Sequence, residues 1–291
     1  MSNAKETAAA AAAASGFDAP EGYTGERLAA DDPRFAADMA RHFAAYELVG
    51  PLVAGKEIME AGCGEGYGAE MMAEHAARVV GIDYNAVALG IAKKRHAQPN
   101  VEFREVDLLE LAARSPGQFD AVTNFQVLEH LDDPAPFLEA AAACLKPGGC
   151  LILTTPNRLA SVSENPYHVH EYVADELAAT LAPHFDRVEV KGIIGTERVY
   201  EFERARGEQA QRILRLDPLG LRNLLPEAFV KFVFSRLALL VRSRVAAQSA
   251  DLVDLAVSDF SIAESEPPQW IDLLAIAWRA PEGAPAANGR G

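Results

Sequence analysis

The sequence predicts an α/β protein with a parallel sheet and helices on both of its faces. Two observations carry this. From Gly55 to Asn157, short apolar runs alternate with helix-like stretches, the pattern of consecutive strand–helix–strand units. Between the first run and the first helical stretch the chain reads Glu60-Ala-Gly-Cys-Gly-Glu-Gly-Tyr-Gly68, a glycine turn of the kind that lets backbone approach a ligand closely.

The strands of this region are read as Glu57–Glu60, Val79–Asp83, Val101–Arg104, Ala121–Asn124 and Cys150–Thr155, with helices at Ala69–Ala77, Ala86–His96 and Ala135–Leu145. Asp133-Pro134 reads as an N-cap with proline at the first helical position. Pro147-Gly148-Gly149 turns the chain into the fifth strand. Ahead of the sheet, Phe35, Met39, Phe43 and Tyr46 recur at helical spacing and predict an amphipathic helix over 33–50. After it come a loop with Pro166 and two histidines, a helix near Asp175–Leu181, a strand near Arg187–Ile194, and an apolar run, Ile271–Trp278, expected as an edge strand.

The expected organisation is a disordered tail over 1–22, a core of 23–195 plus 270–280, a helical insertion over 196–269, and a second disordered tail over 281–291. The insertion is far longer than the ~2–6 residues usual between such elements, so it reads as a lid or a substrate-binding element. Its stretch 204–244 carries nine Lys/Arg against three Asp/Glu.

Composition excludes several function classes. The 291 residues hold 27 Lys+Arg against 42 Asp+Glu, a formal charge of −15, which is poorly suited to phosphate contacts with nucleic acid. Cys63, Cys144 and Cys150 form no CxxC pair, so neither a disulfide framework nor a zinc ribbon is expected. Residues 1–14 lack the apolar core of a signal peptide, and no run reaches the ~20 apolar residues of a membrane span. The expectation is a cytoplasmic protein.

Two cofactors compete for the glycine turn. Gly64-x-Gly66-x-x-Ala69 satisfies the dinucleotide pattern GxGxxG/A. Against that, Glu60 ends the first strand, where a carboxylate would oppose a pyrophosphate. The same carboxylate suits a ligand with a cationic amino acid portion and no phosphate, and S-adenosylmethionine is such a ligand. Asp83 closes the second strand, where a carboxylate can accept both ribose hydroxyls; taken alone it would serve NAD equally. Asp107, after the third strand, adds an acceptor for an adenine amino group.

With these residues in view, the chain resembles the class I S-adenosylmethionine-dependent methyltransferases, in the group with a Leu-Glu-His motif after the fourth strand. The motifs are Glu60-Ala-Gly-Cys-Gly-Glu-Gly66, Gly81-Ile-Asp83, Phe119-Asp-Ala-Val-Thr-Asn-Phe-Gln-Val-Leu-Glu-His130 and Leu145-Lys-Pro-Gly-Gly-Cys-Leu-Ile-Leu153. The resemblance covers roughly 42–195. It implies a Rossmann-like, seven-stranded, mostly parallel sheet with a reversed final hairpin. It also implies methionine-end contacts from Glu60, Gly62 and Gly64, ribose on Asp83, and adenine near Asp107 and Leu108; Cys63, read as a small close-packed residue of the loop, and Tyr84 complete the expected cofactor-binding set. Phe125 falls where the family lines the cofactor, and Tyr46 can reach the cofactor carboxylate. Glu129 and His130 are expected at the start of the helix after strand four, in a structural role.

The expected reaction is methyl transfer from S-adenosylmethionine to a small molecule, leaving S-adenosylhomocysteine, with O-methylation favoured. A hydroxyl acceptor benefits from a base near neutral pH, and His168 and His170 are the candidates; they would share a face in an extended stretch. Metal independence is expected, because Thr123-Asn124 and Thr155-Pro156-Asn157 stand where related enzymes carry metal-binding carboxylates. The alternatives are methylation of a sugar or lipid-linked glycan, a nicotinamide oxidoreductase, and a non-catalytic scaffold. Leu224–Val241, apolar around most of a helix with Lys231 and Arg236 breaking it, is read as a lid helix buried against the domain or in a homodimer, as a weak membrane or lipid contact through 222–244, or as a basic pocket for a phosphorylated or carboxylated acceptor.

Overall fold

In a computed structural model of the chain, the described residues are 33–113, 116–161, 165–214, 227–248, 254–263 and 269–283. The expected tail at 1–22, most of that at 281–291 and the first five residues of 222–244 lie outside them. Contacts divide the chain into two compact units: Ala45–Ala160, Val169–Ile194 and Ile262–Gly291 in the larger, Met1–Ala44, Ser161–His168 and Gly195–Ser261 in the smaller.

The elements run in the expected order: α1 (Ala36–Val49), β1 (Glu57–Ala61), α2 (Tyr67–Ala73), β2 (Arg78–Asp83), α3 (Ala86–Arg95), β3 (Val101–Glu105), β4 (Phe119–Phe125), α4 (Ala135–Cys144), β5 (Leu145–Pro156), α5 (Ala174–Leu181), β6 (Arg187–Gly195), α6 (Glu197–Leu214), α7 (Glu227–Gln248), β7 (Phe260–Ala263) and β8 (Asp272–Trp278). Local chemistry accounts for several boundaries. Asn85 caps α3 by accepting from the Ala88 N–H at 3.0 Å, and Lys93, Lys94 and Arg95 complement its C-terminal dipole. Asp133 accepts from the Ala135 N–H at 3.0 Å ahead of α4. Glu129 and His130 lie on a separate 3₁₀ turn, Leu128–His130, and not on the helix itself, which starts at Ala135.

The eight strands take the order β3-β2-β1-β4-β5-β8-β6-β7. β1 through β5 pair in parallel, and β8 runs antiparallel to both β5 and β6. Two expectations are corrected here. The sheet has eight strands where seven were expected, because Phe260–Ala263, only four residues long, forms a further strand from within the segment read as helical. Ile271–Trp278 is not an edge strand, since β8 lies between two neighbours. Its composition agrees with that position: Leu273 to Ala277 are buried without alternation, as a strand covered on both faces requires.

On one face of the sheet, Met59, Val80, Val122, Leu151, Leu273 and Ala275 pack with Phe137, Leu138 and Ala141 of α4 and Leu177 and Leu181 of α5. The three cysteines are buried and unbridged. No helix among the described residues is long and apolar enough to cross a membrane.

The smaller unit is held partly by ions. Asp38 accepts from Arg206 Nη1 at 2.8 Å and from Arg242 Nε at 2.9 Å, and the Arg242 guanidinium lies 4.6 Å from the Phe35 ring centre. Burial alone would raise the Asp38 carboxyl, but Arg242 and Arg206 outweigh it and hold it well below the ordinary range. Asp38→Ala leaves two guanidinium groups without this acceptor. With the Asp38 side chain 13% exposed, the expected cost in denaturant melts is about 2 kcal/mol. Because the folded carboxyl is depressed, this contribution is present above the unfolded value of 3.8. It is lost only as pH falls through the folded value.

Candidate functional site

Parallel pairing brings the carboxyl ends of β1, β2, β3 and β4 to one edge of the sheet, and an α/β fold binds its ligands there. The candidate cofactor residues cluster at that edge, within the larger unit; His168 belongs to the smaller unit.

The glycine turn follows β1 and is tied down by β2. Gly62 and Cys63 donate to the Ile82 carbonyl at 2.8 and 2.9 Å. The Gly64 N–H donates to Asp83 Oδ2 at 2.9 Å, and the Asn85 N–H to Asp83 Oδ1 at 2.8 Å. Three successive turn N–H groups therefore point to β2. Gly62 has φ +83°, and a Cβ there would lie 2.7 Å from Val127 Cγ2. Gly66, at φ +87°, would place a Cβ 2.7 Å from both Ala92 and Phe103. Only glycine meets both demands. Cys63 is buried, with its Sγ 4.0 Å from the Gly64 carbonyl.

Glu60 is the chemical centre of this edge. It is 1% exposed. Its Oε1 accepts from the Tyr46 hydroxyl at 2.6 Å, while its Oε2 is buried and has no hydrogen-bond partner among the described residues. Burial raises this carboxyl to about 7; the Tyr46 hydrogen bond opposes the rise, the Asp83 charge adds to it, and the Ala69 N–H opposes it. Tyr46 in turn is pushed well above its ordinary value, first by burial and then by the Glu60 charge. Its ring is fixed by Phe125 at 4.6 Å and by Tyr67 edge-on at 5.9 Å. A buried carboxylate with one oxygen unsatisfied is costly unless something cationic or hydrogen-donating completes it. These residues fit an ammonium group.

The sequence-derived residues divide as follows. Tyr46, Glu60 and Phe125 meet directly. Gly62, Cys63, Gly64 and Asp83 form one hydrogen-bonded turn. Tyr84, beside Asp83, is 69% exposed, and Asp107 and Leu108 follow β3, the first exposed and the second half-buried. The histidine loop is not extended: the His168 N–H returns to the Asn165 carbonyl at 3.0 Å, and the Tyr167 N–H to Asn165 Oδ1 at 3.1 Å. His170 Nε2 lies 2.8 Å from Glu176 Oε1, and its ring packs edge-on against Tyr172 at 4.6 Å.

Several residues at this edge escaped sequence reasoning. Gly68 faces the Tyr46–Glu60 pair, and its signal was only its place in the glycine run. Gln126 takes a left-handed conformation, φ 55°, which nothing in its residue type announces and which costs on the order of 1 kcal/mol. Asp272 stands alone as a charge in an apolar strand, and that contrast was its signal.

Fold and site together define a methyltransferase domain. The family described as "Methyltransferase domain" matches residues 30–192, more than half of the chain, and the chain belongs to it. A protein of Mycolicibacterium smegmatis named a probable S-adenosylmethionine-dependent methyltransferase is 39% identical over 146 residues, 48% of this chain and 56% of that one. The ubiquinone biosynthesis O-methyltransferase of Albidiferax ferrireducens is 41% identical over 109 residues, 36% of this chain and 43% of its own. The chain thus spans about half the length of these curated relatives. Among solved structures, an S-adenosylmethionine-dependent methyltransferase of Thermotoga maritima aligns with a TM-score of 0.54 at 14% identity, over 84% of this chain and 92% of that one, a likeness of fold.

Proposed function

We propose that this protein is an S-adenosylmethionine-dependent methyltransferase acting on a small-molecule acceptor, with a hydroxyl as the favoured methyl-receiving group. The observation that carries the reading is the buried Oε2 of Glu60, which has no hydrogen-bond partner among the described residues. It favours a ligand with an ammonium group over one with a pyrophosphate. The turn supports the same choice, since the N–H groups of Gly62, Cys63 and Gly64 are already given to β2 and are not left to cradle phosphate.

When bound, the cofactor supplies an activated methyl on its sulfonium. The chain's own residues then have a limited task. Glu60 holds the ammonium, Asp83 takes the ribose hydroxyls, Tyr84, Asp107 and Leu108 flank the adenine, and Phe125 with Tyr46 excludes water from the methionine end. The preference for oxygen draws on the ubiquinone O-methyltransferase relative and on the proposed bases, His168 and His170. The insertion over 196–269 is the proposed acceptor-selecting element.

The test is incubation with methyl-labelled S-adenosylmethionine and a panel of hydroxylated aromatics, amines and sugars, with the labelled atom located by mass spectrometry. Label on a hydroxyl oxygen is the expected result. Label on nitrogen or carbon overturns the preference, and a sugar product favours the glycan alternative. A base role requires His168→Ala or His170→Ala to lower turnover without changing cofactor affinity.

A further inference from the structure

Gln126 is the one non-glycine residue with positive φ among the described residues, and it stands at the exit of β4. Three contacts hold it there. Its N–H donates to the Thr154 carbonyl at 2.9 Å. Its side-chain Nε2 donates to Thr154 Oγ1 at 3.4 Å and to Asp272 Oδ1 at 3.3 Å. Asp272 is 2% exposed. It opens β8, which runs antiparallel, so the first residue of β8 reaches the sheet edge where the parallel strands end.

The two neighbours of Gln126 both face the cofactor site. Phe125 lies against the Tyr46 ring, and Tyr46 holds Glu60. Val127 covers Gly62, so closely that a Cβ there would meet it. One backbone kink therefore sets both the aromatic wall behind Glu60 and the cover on the glycine turn. A side chain other than glycine disfavours that kink unless it is restrained.

We infer that Asp272 is a positioning residue of the cofactor site, acting through Gln126 to hold the left-handed kink that aims Phe125 at Tyr46 and Val127 at Gly62. This rests on the methyltransferase reading above. It extends the site two strands beyond β4, to the first residue of β8.

The test uses S-adenosylhomocysteine as probe, titrated calorimetrically into the full chain and four variants, with melting temperatures measured in parallel. Asp272→Ala and Gln126→Ala are each expected to weaken binding about tenfold, the size of one lost hydrogen bond to a charged group. Asp272→Asn, whose amide oxygen accepts the same bond, recovers most of that loss. Gln126→Gly recovers most of it too, because glycine adopts the kink unaided.

An Asp272→Ala protein that melts lower but binds as tightly as wild type has lost only packing, and overturns the inference. So does Gln126→Gly binding as weakly as Gln126→Ala, since the kink is then not the route. If Asp272→Ala does not fold, the Gln126 pair decides. A wild-type protein that ignores S-adenosylhomocysteine overturns the methyltransferase reading, and this inference with it.

Discussion

Glu60→Gln is expected to stabilise the protein at pH 8 and to abolish most of its cofactor affinity. The carboxyl titrates at about 7 when folded, against 4.5 for the free side chain. Near pH 4 both states hold the proton and the substitution changes little. As pH rises through 4.5 the unfolded chain ionises first, while the folded protein holds its proton until about 7. The penalty for a buried charge therefore grows across that window and is constant above it, reaching roughly 3 kcal/mol. Glutamine retains an oxygen for the Tyr46 hydroxyl and carries no charge, so the variant should melt higher at pH 8. Binding moves the opposite way. Without the carboxylate the cofactor ammonium loses its counter-charge, and S-adenosylhomocysteine affinity should fall by roughly 100-fold or more. In the wild type the same affinity should weaken as pH falls below about 7, by up to about tenfold per pH unit. Scanning calorimetry at pH 4 and 8 with ligand titration reads both effects. A variant that melts lower at pH 8, or binds as the wild type does, contradicts this account of Glu60.

Gly68→Ala should damage the same pair from the other side. A Cβ there would lie 2.2 Å from Tyr46 Cζ and 2.3 Å from Glu60 Oε1. Neither neighbour has room to withdraw. Tyr46 is fixed between Phe125 and Tyr67, and Glu60 is on a central strand. Alanine favours the helix by about 1 kcal/mol, but overpacking of this kind costs ~1–3 kcal/mol, so the net effect is destabilising. The larger consequence is functional, because moving Tyr46 breaks the 2.6 Å bond that orients Glu60. S-adenosylhomocysteine affinity should fall about tenfold, the worth of one hydrogen bond to a charged group. At Gly64, by contrast, a Cβ meets no protein atom within 4 Å at φ +53°, so Gly64→Ala is expected to cost stability only through backbone strain of roughly 1–2 kcal/mol.

The legible part of the fold was the part whose signals are local. Buried parallel strands read as short apolar runs, so β1 to β4 stand within two residues of expectation, whereas β5 begins at Leu145, five residues early, and runs through the Pro147-Gly148-Gly149 read as a turn. The position of β8 was not legible. Its apolar run marks it as a strand, but nothing in Ile271–Trp278 says that it inserts between β5 and β6. β7 was too short to stand out from the segment around it. In the site, Glu60 and Asp83 were readable because strand ends carry their carboxylates to one edge. The Tyr46–Glu60 hydrogen bond and the Asp272–Gln126 contact join residues distant in sequence, and only the fold brings them together. Gln126 was hidden for a different reason: its left-handed backbone is imposed by Thr154 and Asp272 and leaves no mark on the residue type.

The most direct test of the central claim is calorimetric titration of the wild-type chain and Asp83→Ala with S-adenosylhomocysteine, with NAD as the competing ligand. Saturable binding of S-adenosylhomocysteine is expected, weakened about tenfold by the substitution as ribose hydroxyls lose a charged acceptor, with no binding of NAD. Binding of NAD in its place, or affinity for S-adenosylhomocysteine indifferent to Asp83, would contradict it.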